Sequence, residues 1–272
     1  MFPVSYISIS QKATDIEMEW VSTMIMLYFS ATGNSKYIAE LFCQNMNALC
    51  HSIEEEADFA QMIACEDVVG FCYPIYGSRV PRLMREFVLA HIGALEDKKL
   101  IIFCTQMGGS GDGARALTYL FPRGSAKVIY AEHFLMPNNV SNLFFLPLAG
   151  DKTTLWYLDK SRKKMHTVCE NIKAGKVKKR GFNPVSRALG LIQGSFMPGI
   201  ERRARRKVWI RKECDQCCLC VSICPMKNFA FENGKITTKD NCMICYRCIN
   251  QCPQMAISVF LKAKPQKQFT GV

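Results

Sequence analysis

Apolar runs of strand length alternate with short polar turns over the first half of the chain. Three of them are continuous, at 24–29 (MIMLYF), 67–73 (DVVGFCY) and 99–105 (KLIIFCT). A fourth run covers Lys127–Ala131, and a short one lies near Leu49–Ile53. Because buried strands have this length and are bounded by Gly, Pro and Asn, the pattern predicts five β-strands.

Between these runs the apolar residues recur every three or four positions, which is the spacing of one helix face. The spacing predicts helices at 36–49, 80–91 and 114–121, and a last helix at 152–174 that covers the sheet. Strands that alternate with helices in this way form a parallel sheet with helices on both faces. The sequence therefore predicts a doubly wound α/β fold with strand order 2-1-3-4-5.

A polar turn, SATGNS at 30–35, separates the first strand from the first helix. A strand, a short turn and a helix N-terminus together direct backbone N–H groups at a phosphate. The turn lacks the spacing of a nucleoside-triphosphate loop or of a dinucleotide fingerprint, and the alternative is an ordinary capped turn. The candidate hydrogen-bond donors to the phosphate are the hydroxyls of Ser30, Thr32 and Ser35 and the side-chain amide of Asn34. Gly33 permits the tight backbone of the turn.

Two further loops follow the second and third long strands. One contains Tyr76 and Gly77, and the other is glycine-rich and contains Gly108 and Gly109. In an open α/β sheet, ligands bind at the carboxyl ends of the strands, where the strand order reverses. Both loops are expected at that edge, beside the polar turn.

The turn S-x-T-G-N-S resembles the FMN phosphate loop of flavodoxins. The resemblance implies a flavodoxin-like fold with FMN bound at this edge. It also implies that Tyr76 stacks on the flavin ring, the alternative being an exposed loop tyrosine, and that the Gly77 peptide flips to meet flavin N5. Gly108 and Gly109 would let the backbone approach the edge of the ring.

The cysteine content adds a second kind of chemistry. Nine of the 15 cysteines lie between Cys214 and Cys252. The first 23 residues lack the basic and then apolar pattern of a secretory signal, and no apolar run reaches the ~18 residues that span a bilayer. Disulfides are not expected without export, so the sequence predicts a cytoplasmic protein whose clustered thiolates bind metal.

The clustered cysteines form two copies of the pattern C-x2-C-x2-C-x3-C-P, and each copy is the run that binds iron–sulfur clusters in bacterial ferredoxins. Zinc, which favours isolated C-x2-C pairs, fits this spacing poorly. The surplus Cys218 is expected to be a packed thiol. The eight predicted ligands are Cys214, Cys217, Cys220, Cys224, Cys242, Cys245, Cys248 and Cys252.

Residues 213–262 resemble a two-cluster, 2[4Fe-4S] ferredoxin. In that family the fourth cysteine of each run ligates the other cluster. Cluster I would then be held by Cys214, Cys217, Cys220 and Cys252, and cluster II by Cys242, Cys245, Cys248 and Cys224. A hairpin is expected at 229–238 around Asn233-Gly234, and a closing strand at 257–260.

The positive charge is confined to one segment. The chain carries +12 in total, and the stretch from Asp159 to Lys212 has 17 basic and three acidic residues, or +14, so the rest sums to −2. Three interpretations stay open: nucleic-acid binding, which few aromatic residues support; docking of an acidic redox partner protein; and compensation of negatively charged cofactors. The apolar stretch 190–200 is expected to pack between domains.

The order of the motifs predicts five segments: an extension at 1–23, a flavodoxin-like domain at 24–175, a basic linker at 176–212, a ferredoxin domain at 213–262 and a tail at 263–272. The natural start is expected at Met24.

This arrangement resembles the flavodoxin–ferredoxin fusion proteins of anaerobic bacteria. The resemblance implies an electron-transfer protein with FMN and two [4Fe-4S] clusters. The alternatives are an FMN-dependent reductase that acts on its own small-molecule substrate, and a binding module with structural clusters.

Overall fold

The computed structural model describes residues 23–143 and 146–272. All but the last residue of the extension predicted at 1–23, and with it the expectation about the start site, lies outside the described residues.

Six parallel strands form the central sheet. Their order is β2-β1-β3-β4-β5-β6, which confirms the predicted order 2-1-3-4-5 and adds one strand at the edge. The switch point lies between β1 and β3, where Met24 pairs with Val68, while Ile25 pairs with Leu49 on the other side. The strands are β1 (Met24–Tyr28), β2 (Leu49–Ser52), β3 (Val68–Pro74), β4 (Lys99–Gln106), β5 (Lys127–Leu135) and β6 (Lys178–Lys179).

Helices cover both faces of this sheet. The helices are α1 (Asn34–Met46), α2 (Phe59–Ala64), α3 (Arg82–Ala90) and α4 (Asp151–Lys173). Helices α1 and α4 bury Phe42 and Met165 on one face, and α2 and α3 bury Ile63 and Met84 on the other. The predicted doubly wound fold is therefore confirmed. In the described ranges no helix is long and apolar enough to cross a membrane.

Two predicted elements differ from the structure. The helix expected at 114–121 is a six-residue 3₁₀ helix, Arg115–Leu120, which ends before Pro122, a residue that pushes its predecessor out of helical geometry. The strand expected at Lys127–Ala131 continues to Leu135. The sequence did not predict the last four residues of this strand because they include the charged Glu132. In the structure the Glu132 carboxylate is fully buried and paired with three cations, Lys164, Lys178 and Arg180.

The basic segment at 176–212 contains regular structure. It supplies β6, then α5 (Pro184–Ser195) and α6 (Met197–Ala204). Helix α5 begins at Asn183, whose side chain accepts a hydrogen bond from Ser186 N. The stretch 190–200, which was expected to pack between domains, fully buries only Gly190 and Gly194. Its side chains at Leu191, Ile192 and Phe196 are exposed, and Met197 and Ile200 are half-buried.

The cysteine-rich part is a small α+β unit with two short helices and two antiparallel strand pairs. Its elements are β7 (Val208–Ile210), α7 (Leu219–Ile223), β8 (Phe229–Glu232), β9 (Lys235–Thr238), α8 (Arg247–Gln251) and β10 (Ile257–Val259). The β8–β9 hairpin is confirmed, with Asn233 and Gly234 both left-handed. The predicted closing strand β10 pairs with β7 rather than with this hairpin.

The two halves of this unit repeat their backbone geometry at a spacing of 28 residues. Left-handed residues stand at equivalent places: Gln216 and Ile244 (φ 61° and 60°), Cys218 and Tyr246 (60° and 63°), and Lys227 and Met255 (48° and 46°). Non-glycine residues rarely adopt this conformation, so its recurrence marks two copies of one loop. The internal repeat predicted from the cysteines is thus a repeat of structure.

Candidate functional site

A cavity of about 380 Å³ opens at the carboxyl ends of the sheet strands. This volume falls in the range of about 300–1,000 Å³ that small-molecule sites occupy. Loops after β1, β3, β4 and β5 form its floor, and α6 forms one wall. Another wall comes from the cysteine-rich unit, through Met243, Ile244 and Tyr246.

The predicted phosphate loop lines one end of this cavity. Gly33 has φ 100°, a conformation that requires glycine, and it stands directly before α1. The Ser30 hydroxyl oxygen accepts a hydrogen bond from Gly33 N at 3.2 Å, and Thr32 Oγ1 accepts one from Asn139 Nδ2 at 2.9 Å. Both hydroxyls act as acceptors in these bonds, so both retain a proton for a bound anion.

The other two polar side chains of the loop tie it to neighbouring strands. Ser35 Oγ and Thr105 Oγ1 lie 2.8 Å apart in a buried hydrogen bond at the head of α1. Asn34 Nδ2 donates to Pro137 O at 2.9 Å, whereas its Oδ1 is buried without a partner. Asn34 thus fixes the loop against the end of β5, and its amide donor, which was expected to bind a phosphate, is used in this bond.

Arg247, which the sequence analysis missed, holds the phosphate loop from behind. Its guanidinium donates to Ser30 O at 2.8 Å and to Ala31 O at 3.1 Å, and it forms a two-oxygen ion pair with Glu54 at 2.7 and 2.6 Å. In a trans peptide the C=O and the following N–H point in opposite directions. Arg247 therefore turns the N–H groups of Ala31 and Thr32 away from itself.

These N–H groups are free to bind an anion. In the described part of the chain, no protein acceptor meets the backbone N–H groups of Ala31, Thr32, Asn34 or Ser35. Each of these residues lines the cavity. Free N–H groups at a helix N-terminus are the usual receptor for a phosphate, and a negative charge there is favoured by the helix dipole.

Tyr76 and Gly77 begin a tight turn at the opposite side of the cavity. Tyr76 and Arg79 exchange two backbone hydrogen bonds of 3.0 Å, and the two residues between them are left-handed, with φ 52° at Gly77 and 58° at Ser78. Positive φ at both central positions defines a type I′ turn. The Met197 side chain packs so closely on Gly77 that a Cβ there would displace it.

Tyr76 lies between the cavity and the cysteine-rich unit. Its side chain lines the cavity, while its hydroxyl is buried and has no hydrogen-bond partner among the described residues. Burial raises the pKa of Tyr76 well above its usual value, and the nearby Cys245 thiolate raises it further. A flavin ring stacked on Tyr76 would therefore lie beside a cysteine of the second quartet.

The glycine-rich loop after β4 was expected to bring Gly108 and Gly109 to the edge of a bound ring, and the structure differs. Gln106 and Met107 line the cavity, but Gly108 and Gly109 do not, and open space surrounds both glycines. Gly111 and Gly190 are the positions where a close approach requires glycine. A Cβ on Gly111 would collide with α5, and one on Gly190 would collide with the Asp112 carboxylate.

The cavity fits the phosphate and ring of a flavin mononucleotide. It pairs a receptor for an anion with an apolar wall containing Ile75, Tyr76 and Met243. Three residues that line it each have a buried side-chain atom without a hydrogen-bond partner among the described residues: Asn34 Oδ1, the Tyr76 hydroxyl and Arg82 Nε. A buried polar group without a partner is costly, so these atoms indicate a polar ligand.

The fold brings the clustered cysteines close enough for their charges to interact. Burial is the main reason that the pKa of Cys220 is raised to about 11. The charges of Cys214, Cys252 and Cys217 raise it further. These four thiols are the predicted cluster I ligands, and they line one small cavity.

The second set is assembled in the same way. Burial raises the pKa of Cys248 well above its usual value, and the charges of Cys245, Cys242 and Cys224, followed by that of Cys220 from the first set, add to this rise. Burial likewise raises the pKa of Cys242 to about 11 and that of Cys245 to about 12. Cationic iron would reverse this effect, because a coordinated thiol is deprotonated. The division of the eight thiols into two cluster-binding sets stays a prediction.

Backbone N–H groups point at several of the eight sulfurs. Asn228 N donates to Cys224 Sγ, and Ala256 N donates to Cys252 Sγ, both at 3.3 Å and again 28 residues apart. Ile244 N donates to Cys242 Sγ at 3.3 Å. Such bonds stabilise thiolates and tune the potential of an iron–sulfur cluster. Within the described ranges, no group of three metal-binding side chains is arranged to hold a single ion.

Arg82 connects the two sites and was also missed. It lines the cavity, is 7% exposed, and donates to Asn241 O and Oδ1 at 2.6 and 2.8 Å. Asn241 precedes Cys242, and the Arg82 charge favours the thiolate of that cysteine. Met243 and Cys245 also pack into the hydrophobic core of the sheet. The sites therefore share side chains instead of lying in separate units.

Comparison with known proteins supports both parts of this description. Residues 25–150 match the family model described as Flavodoxin domain. A ferredoxin from Methanothermococcus thermolithotrophicus is 37% identical over 46 residues, which are 16% of this chain and 77% of that ferredoxin.

Solved structures resemble the sheet and its helices. A WrbA-like flavodoxin from Agrobacterium tumefaciens is 19% identical and covers 57% of this chain and 99% of its own, with a TM-score of 0.39. A two-electron reduced Megasphaera elsdenii flavodoxin is 20% identical and covers 52% and 99%, with a TM-score of 0.38. The general stress protein 14 of Treponema denticola, solved with FMN, is 13% identical and covers 56% and 99%, with a TM-score of 0.38.

The strand order of the sheet and the match to the family model identify the flavodoxin-like fold, independently of these partial structural similarities. Residues 25–150 form a flavodoxin-like domain, and over the 46 residues that match, the chain belongs to the ferredoxin family.

Proposed function

We propose that the protein transfers electrons between two [4Fe-4S] clusters and an FMN, and so relays them between redox partner proteins. FMN exchanges one or two electrons and each cluster exchanges one, so together they couple one-electron to two-electron chemistry. Ser30, Thr32, Ser35 and the free N–H groups of their loop would hold the FMN phosphate, and the two cysteine quartets would hold the clusters.

The single observation that carries this proposal is the shared wall. Met243 and Ile244 lie between two ligands of the second quartet, Cys242 and Cys245, and both line the flavin cavity. Tyr76 touches the same boundary from the flavodoxin-like side. A cluster held by the second quartet would therefore border the flavin, with no other domain between them.

The alternative of a reductase with its own substrate needs a proton donor in the cavity. Of the three candidates that the sequence offers, Tyr76 lines the cavity, whereas Asp112 and His133 do not. Asp112 accepts a hydrogen bond from Tyr119, and His133 Nε2 accepts one from Ala114 N behind the loop. These contacts remove Asp112 and His133 as proton donors and leave Tyr76 as the residue through which the alternative would have to act.

Anaerobic purification followed by iron, sulfide and flavin analysis tests the proposal. Two quartets and one phosphate loop predict about eight iron atoms and one FMN per chain. Reduction in steps should then bleach the flavin and cluster absorbance separately. Four iron atoms per chain, tight zinc binding or no flavin would contradict the proposal.

A further inference from the structure

Helix α5 is packed with its apolar side chains outward. The helix touches the protein through Gly190 and Gly194, and Arg79 Nε donates to Gly194 O at 2.9 Å. Five large apolar residues at its outer side are each 49–70% exposed: Val185, Leu189, Leu191, Ile192 and Phe196. Four of them, at 185, 189, 192 and 196, follow the spacing of one helix face. An exposed apolar strip of this kind marks an interaction surface.

The segments before and after this strip are strongly basic in sequence, although Lys178 and Arg180 pair with Glu132. Residues 176–212 contain 12 Lys or Arg and one acidic residue. That residue, Glu201, is already neutralised by Arg85 at 2.9 Å. Exposed arginines follow the helix at 202 and 203, and exposed basic residues precede it at 176–180. The surface that covers the strip must therefore be both apolar and negatively charged.

The strip lacks the polar groups that a protein interface uses. Protein interfaces contain about one hydrogen bond per 100–200 Å². Two exposed polar residues of α5 are already bonded within the protein: the Ser195 hydroxyl donates to Ile192 O at 2.7 Å, and Gln193 Oε1 accepts a hydrogen bond from Ser78 Oγ. A third, Arg187, adds to the positive charge around the strip. A convex apolar helix between basic segments is instead typical of helices that lie in the surface of a bilayer, where anionic lipids attract Lys and Arg.

We infer that α5 docks the protein on the surface of an anionic phospholipid bilayer. The apolar strip would lie among the acyl chains near the headgroups, and the basic residues at both ends would contact lipid phosphates. Because Met197, Ile200 and Glu201 of the next helix line the flavin cavity, docking would place this cavity near the membrane. The inference goes beyond the proposed electron transfer and does not depend on it.

Flotation of the purified holoprotein with lipid vesicles tests the inference. We expect binding to vesicles of phosphatidylcholine mixed with phosphatidylglycerol, little binding to phosphatidylcholine alone, and release at high salt. The double substitution Leu189→Ser, Ile192→Ser removes two exposed apolar side chains and should weaken partitioning at least about tenfold. Leu89→Ser, at a position 52% exposed on α3, is the matched control and should bind as the parent does.

Three results would overturn the inference: no binding to the mixed vesicles, equal binding by the double variant, or a dimer in solution that the double variant abolishes. The last would assign the strip to a second copy of the chain. Iron and flavin are measured on the same samples, so a failure of the proposed electron-transfer role is recognised separately. Normal cofactor content with no vesicle binding contradicts only this inference.

Discussion

Arg247 provides the sharpest test of how the two sites depend on each other. Its guanidinium bonds two carbonyls of the phosphate loop, the carboxylate of Glu54, and Ile223 O at 3.0 Å. Replacing Arg247 with Met keeps most of the side-chain volume and removes every one of these bonds. The phosphate loop and the cysteine-rich unit would then lose their common anchor.

The magnitude follows from the burial of the ion pair. The side chains of Arg247 and Glu54 are 14% and 24% exposed, so water can compensate only part of the loss. Removing one partner of a buried pair costs about 3–5 kcal/mol, and partial exposure reduces this to roughly 2–3 kcal/mol of folding free energy. If the freed loop misplaces one charge-assisted bond to phosphate, FMN affinity falls by about 1.5 kcal/mol, or roughly tenfold.

The assay is titration of FMN into flavin-free protein, followed by quenching of flavin fluorescence, with urea unfolding run in parallel. Arg123→Met, at an exposed arginine, is the matched control and should change neither quantity. Glu54→Gln removes the charge but keeps an acceptor, so it should lower stability while changing FMN affinity less than Arg247→Met does. An Arg247→Met variant with unchanged FMN affinity would show that the loop holds its shape without the arginine.

Three further predictions concern single residues. Thr32→Val should weaken FMN binding roughly 10- to 150-fold, since it removes a hydroxyl donor to the phosphate, and unchanged affinity in the same titration would place the phosphate elsewhere. Cys245→Ser should remove cluster II and, because of the shared wall, also weaken FMN binding; iron analysis with flavin titration checks both. Burial, and next the charge of Arg180, lowers the pKa of His133 to about 4. Between about pH 6.5 and 4 the unfolded chain therefore binds the extra proton, so stability should fall by about 2 kcal/mol from pH 7 to 5. Urea unfolding of His133→Gln should lack this part of the pH dependence.

Local motifs explain why much of the site was visible in the sequence. The phosphate loop and both cysteine runs are short stretches whose chemistry depends on neighbours in the chain. Each strand of the sheet except the end of β5 and the two-residue β6 was marked by an apolar run. The charge of Glu132 ended the apparent run at Ala131, because its compensation by Lys164 and Lys178 comes from distant residues.

The residues that the sequence did not reveal all act over long separations. Arg247 lies 217 positions from Ser30, and Arg82 lies 159 positions from Asn241. No periodicity or spacing connects such pairs. One signal was available for Arg247, since an arginine between two cluster ligands, Cys245 and Cys248, must carry its charge into the cluster surroundings.

The shared wall has a thermodynamic consequence. If assembly of cluster II strengthens FMN binding through Arg247 and Met243, then FMN must stabilise cluster II by the same free energy, because coupling between two binding sites is reciprocal. The C-terminal residues add to this coupling. Gln268 donates to Ile249 O and Cys252 O beside α8, and Val272 then packs against Gly33 in the phosphate loop. The C-terminal contact thus reaches α8 between Cys248 of one set and Cys252 of the other, whereas Arg247 and Met243 lie within the second quartet alone. Loss of flavin should therefore be accompanied by loss of iron from cluster II before cluster I.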